Sequence, residues 1–80
     1  MKVRVKVRLH EEALRENPEW SGGRREAELS AGATVDDLVI ALGVPPHLVC
    51  LVAINGIRAN RSSVLGDGDA VDIVPPIAGG

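Results

Sequence analysis

Aromatic residues are almost missing from this 80-residue chain: it has no Phe, no Tyr and one Trp, at position 20. A core without rings has to be assembled from Val, Leu, Ile and Ala, each of which buries less area than an aromatic side chain. Cysteine is equally scarce. Cys50 stands alone, so it cannot close an internal disulfide, and no cysteine pair has metal-binding spacing. No apolar run approaches the roughly 20 residues a membrane span needs. The opening alternation of Lys or Arg with Val is not the continuous apolar stretch of a secretion signal. The net charge of −2 gives no general attraction to nucleic acid or to an anionic membrane. The expectation is a reduced, cytoplasmic setting with neither nucleic acid nor membrane as partner.

What is present has an ordinary globular balance, 45% hydrophobic and 25% charged. A chain of this size holds one small core, with little room for a deep substrate cavity. A single domain over residues 1–80 is expected, with residues 75–80 as a flexible tail.

"KVRVKVRL" alternates strictly. Val3, Val5, Val7 and Leu9 fall on one side and Lys2, Arg4, Lys6 and Arg8 on the other, the period of a strand with one buried face. A short helix is expected over Glu11–Glu16, stopped before Pro18, then a loop turning at Gly22-Gly23. Trp20 falls in that loop, with no reading beyond covering one edge of the core. "REAELS" alternates again, with Ala27 and Leu29 inward, which predicts a hairpin with the first strand. The main helix is punctuated at both ends. Thr34 caps it with Asp37 three residues on, Val35, Leu38, Val39 and Leu42 form one apolar stripe, and Gly43 with Pro45-Pro46 stops it. "VCLVAINGIRAN" reads as strand, Asn55-Gly56 turn and short return strand, and a Gly-Asp-Gly-Asp turn precedes a last strand containing Val71 and Ile73. Strand, strand, helix and further strands make an α+β layout that fits the β-grasp: a mixed sheet with one main helix packed on one face, its first and last strands parallel neighbours.

Conventional catalytic readings fail in turn. His10 and His47 are isolated from any nucleophile pattern, and Cys50 in "LVCLVAI" is a small buried hydrophobe. The 66–69 turn lacks the Lys and Ser/Thr of a phosphate loop, and Asp67, Asp69 and Asp72 lack calcium-loop spacing, so no metal is expected. The basic stripe on strand one is a solvated face or a dock for an acidic partner surface.

The last six residues, "PPIAGG", remain. Pro75 and Pro76 fix φ and favour a stiff extended segment, while Gly79 and Gly80 thread a narrow channel because they carry no side chains. Six residues reach at most about 20 Å, enough to enter a pocket on another protein. A frayed end is the plain alternative.

With the Asn55-Gly56 turn, the Leu65-x-Asp67-Gly68-Asp69-x-Val71 segment and the Pro-Pro-apolar-Ala-Gly-Gly end, the chain resembles the MoaD/ThiS sulfur-carrier family. Its proline pair and the extra segment between strands one and two lean towards the small subunit of molybdopterin synthase. The lack of aromatics in strand one and at Val74 departs from that subunit. The resemblance implies a cosubstrate and not an enzyme. A ubiquitin-activating-type (E1-like) partner would adenylate Gly80 with ATP, a persulfide donor enzyme would leave a thiocarboxylate there, and the tail would enter a large synthase subunit to deliver sulfur for molybdopterin. Gly79 would give narrow passage and Ile77 and Ala78 would fill small apolar pockets, with Pro75 and Pro76 projecting them. The chain itself would bind no cofactor. Three alternatives stay open: sulfur for thiamin, tRNA or a tungsten-pterin pathway; a ubiquitin-like modifier of lysines; and a β-grasp binding module whose terminus is never activated.

Overall fold

The computed structural model of the chain describes residues 1–9, 11–45, 49 and 51–74. Along the chain come β1 (Lys2–Val7), α1 (Glu11–Glu16), a 3-10 turn at Pro18–Trp20, β2 (Arg25–Glu28), α2 (Val35–Leu42), β3 (Leu51–Ile54), β4 (Ile57–Ala59) and β5 (Ala70–Val74). The five strands form one sheet in the order β2-β1-β5-β3-β4. β1 and β5 run parallel at its centre and the other pairs are antiparallel. The parallel pair follows from the crossover: α2 lies between the two hairpins in sequence and carries the chain from the edge strand β2 to β3 on the other side of the central pair.

Alternation decides which face is covered. Val3, Val5 and Val7 of β1, Val52 of β3, and Val71 and Ile73 of β5 are all buried on one side. Register stacks them, with Val5 opposite Val71, Val7 opposite Ile73, and Ile73 opposite Val52. Val35, Leu38 and Val39 of α2 close this core, and each buried side chain of this size stabilises the fold by about 1.5–3 kcal/mol. The Thr34 hydroxyl accepts from the Asp37 amide and the Asp37 carboxylate accepts from the Thr34 amide, the reciprocal box that starts α2. The Val35 and Asp36 amides donate to the Ser63 and Arg61 carbonyls, so the helix N-terminus is tied to the loop before β5. Gly43 ends the helix in the left-handed region, at φ 69°.

Three boundaries differ from the sequence expectation. β1 ends at Val7, because Leu9 leaves the sheet to pack against the core. β2 stops at Glu28, so Leu29 lies beyond it and contacts the core from there. The stretch read as loop contains the turn Pro18–Trp20, closed by the Trp20 amide on the Asn17 carbonyl and the Ser21 amide on the Pro18 carbonyl. That turn drives Trp20 into the core beside the edge strand β2, where the Arg25 guanidinium sits 4.7 Å from the ring centroid. α1 matches its expected span.

Candidate functional site

The predicted site residues Pro75, Pro76, Ile77, Ala78, Gly79 and Gly80 lie outside the described residues, as do His10, His47 and Cys50. The structure does define where that segment starts. β5 is the central strand, and its last described residue, Val74, sits beside Leu51 of β3. The Arg8 amide donates to the Ile73 carbonyl at 2.8 Å, so β1 holds β5 up to the penultimate residue before Pro75.

Asp72 is the second anchor of this root. Its carboxylate is mostly shielded and accepts both from Arg24 Nη2, at 3.1 and 3.2 Å, while Arg8 Nε approaches to 3.6 Å. Arg24 Nη1 donates to the Val71 carbonyl as well. Arg24 comes from the loop before β2, so its side chain crosses β1 to reach β5. Lys6 Nζ donates to the Gly22 carbonyl and holds the same loop down. Sequence reasoning singled out neither Arg24 nor this role for Asp72. The available signal was a carboxylate at an outward position of an apolar strand, which calls for a partner.

The "NG" and "LGDGD" segments turn out to be architecture at the other end of β5. Asp69 accepts from the Gly66 amide and from Asn55 Nδ2, and Asn55 Oδ1 accepts from the Ala70 amide, which joins the two turns. Asp67 accepts from the Lys2 amide, and the Gly68 amide donates to the Lys2 carbonyl. These bonds fix where β5 begins, and four residues later, about 13 Å along a strand, it reaches the tail root.

The face of the sheet away from α2 is open. Lys2, Arg4 and Lys6 of β1, Ala70, Asp72 and Val74 of β5, Leu51 and Ala53 of β3, and Arg58 of β4 alternate with the buried set and occupy it. The basic stripe expected on strand one is therefore one side of a broader surface that also contains apolar residues. No helix among the described residues is long and apolar enough to cross a membrane.

A mixed sheet with a central parallel pair and one main helix on one face defines a ubiquitin-like β-grasp. Solved structures agree: SAMP1 of Haloferax volcanii aligns over 100% of both chains at 20% identity, with a TM-score of 0.74. A putative molybdopterin converting factor subunit 1 from Pyrococcus furiosus is 25% identical, with 96% of this chain and 99% of that one covered and a TM-score of 0.70. A complex of subunits 1 and 2 of the molybdopterin-converting factor from Helicobacter pylori 26695 aligns over 100% of both chains at 22% identity and a TM-score of 0.60. The ThiS family model matches residues 13–80, and the chain belongs to that family. No curated protein sequence matches it.

Proposed function

We propose that the chain is a sulfur carrier whose Gly80 carboxylate is the working group. A carboxylate is a poor electrophile, so an adenylating partner would first join it to AMP from ATP, releasing pyrophosphate. A persulfide on the donor enzyme would displace AMP, and a thiol would cleave the resulting acyl disulfide to leave the thiocarboxylate on Gly80. The sulfur stays tethered until the tail enters the acceptor site, which replaces a bimolecular encounter with an oriented one. The carrying observation is the reach of the family match, which runs through residue 80 and so includes the whole Pro-Pro-Ile-Ala-Gly-Gly segment rooted on β5.

Delivery to a pterin precursor inside a large synthase subunit is the destination we favour. The Pyrococcus neighbour is named as a subunit 1 of a molybdopterin converting factor, and the Helicobacter structure holds subunits 1 and 2 together. In this reading the chain is a cosubstrate, the catalytic groups belong to its partners, and ATP is consumed by the activating enzyme. A second reading has its own support: a neighbour from Haloferax volcanii is named a small archaeal modifier protein. Activated Gly80 would then form isopeptide bonds with lysines of other proteins.

One experiment separates these. The chain is co-expressed with an adenylating enzyme and a sulfur donor, digested with trypsin, and the peptide Ser62–Gly80 is weighed. That peptide contains no Met, Cys or Trp, so oxidation of those residues cannot imitate the exchange of oxygen for sulfur. Such a gain, lost on mild hydrolysis, identifies the carrier. Gly80 linked to foreign lysines identifies the modifier. An unmodified peptide overturns both.

A further inference from the structure

Pro75 and Pro76 follow β5 directly. Their rings fix φ at the first two positions of the tail, so the direction in which β5 ends is carried outward. Over a reach of at most about 20 Å, a tilt of about 10° at the root displaces Gly80 by about 3.5 Å. Adenylation needs the carboxylate within about 3–3.5 Å of the reacting atom, and a misplacement of about 1 Å already slows such chemistry.

Backbone pairing runs out where that tilt matters. β1 ends at Val7 opposite Ile73, and β3 begins at Leu51 opposite Val74. One side chain spans this end of β5. Arg24 Nη2 lies 3.1 and 3.2 Å from the two Asp72 oxygens, and Nη1 donates to the Val71 carbonyl at 3.2 Å. A single guanidinium thus holds both a side chain and the backbone of β5. It comes from a loop with little packing of its own, since a Cβ at Gly22 or Gly23 would meet nothing within 4 Å. Lys6 Nζ tethers that loop through the Gly22 carbonyl at 2.7 Å.

We infer that Arg24 is a positioning residue for activation of the tail: by clamping Asp72 and the Val71 carbonyl it sets the direction in which Pro75 leaves the sheet. The inference rests on the sulfur-carrier reading and adds to it the residue that aims Gly80. Docking of the body of the chain sets KM, and the share of docked chains whose Gly80 lies in line sets kcat. Loss of the clamp therefore lowers kcat and spares KM. The clamp itself bounds the effect, because a partly exposed ion pair shifts a conformational balance by only a few-fold. Arg8 Nε, 3.6 Å from Asp72, is a weaker member, and the Arg8 amide bond to Ile73 survives a change of side chain.

The test measures ATP–pyrophosphate exchange by an adenylating enzyme, with the full chain as the varied substrate. Arg24→Ala and Asp72→Ala should each lower kcat about three- to fivefold with KM unchanged, and Arg8→Ala should do less. The double variant Arg24→Ala with Asp72→Ala should lose no more than either single change. The two single changes alter charge in opposite directions, so charge-steered docking would move them apart, whereas the clamp moves them together. Thr34→Ala, which weakens the cap of α2, should leave kcat alone and so separates aim from stability. With Pro75→Gly and Pro76→Gly together the lever is gone, and adding Arg24→Ala should cost nothing further. Opposed effects of the two variants, a change confined to KM, additive losses or an unchanged kcat would overturn the inference and leave the carrier reading standing. A wild-type chain that supports no exchange overturns the carrier reading, and the aiming of Gly80 with it.

Discussion

Arg24 reaches across β1 to place Nη2 3.1 Å from one carboxylate oxygen of Asp72 and 3.2 Å from the other. The pair joins residues 48 positions apart and fastens the loop before β2 to the strand that carries the tail. Arg24→Ala should loosen that strand near its end. Because the arginine is partly exposed, the cost in stability is about 1 kcal/mol or less. The more telling signal is faster amide exchange at residues 71–74, with exchange around Leu38 unchanged. Uniform exchange across the sheet would show that the pair anchors nothing.

Asn55 combines a left-handed backbone, φ 53°, with two side-chain bonds to the 69–70 segment. Asn55→Gly retains the backbone freedom and removes only the bonds, so its destabilisation, about 1–2 kcal/mol, reads their contribution. Gly56→Ala forces a Cβ into φ 83°, although open space surrounds it, and should cost about 1–2 kcal/mol through strain alone. Denaturant midpoints measured in parallel resolve the two effects.

Thr34 and Asp37 cap α2 as one reciprocal unit. Thr34→Ala is expected to cost about 1 kcal/mol, which for a domain of this size lowers Tm by about 4–8 °C. The double variant with Asp37→Ala should lose less than the sum of the single changes, since either change breaks the box. Additive losses would mean that the two caps act independently.

Leu38 is fully buried between α2 and the sheet. Leu38→Ala leaves a cavity among valines too short to refill it, at a cost of about 2–5 kcal/mol. That is a large part of the stability of so small a domain, and urea unfolding of the purified variant measures it. Loss below 1 kcal/mol would show that the core collapses around the gap.

Removing Gly80 should leave the melting curve in place and abolish mass gain on the C-terminal peptide in the presence of the activating partner. Gly80→Ala tests the same end more gently, and should slow activation by crowding the narrow passage proposed for the tail. An activated chain without Gly80 would refute the assignment of the working group.

Much of the fold was readable because it is written in local periods. Alternation in Lys2–Val7 settles which side of β1 faces the core, since successive side chains of a strand point to opposite faces. Thr34, Asp37 and Gly43 bracket α2 because capping acts within one turn of helix. The Asn55-Gly56 hairpin is legible for the same reason, as positive φ is a property of the turn itself. The 3-10 turn at Pro18–Trp20 escaped, since a single turn has no period to detect, and its purpose, the burial of Trp20, depends on distant strands.

The sequence alone determined the buried sides of β1, β2, α2 and β5, the ends of the main helix, and the family to which the terminal Gly-Gly segment belongs. Tertiary structure decided what those faces meet. Arg24 finds Asp72 only because β1 and β5 lie side by side, and Arg4 and Arg58 share one face of the sheet only because β5 and β3 lie between their strands in a fixed order. Such contacts are absent from any local window, because they arise when α2 carries the chain across the sheet and folding places residues dozens of positions apart on a common surface.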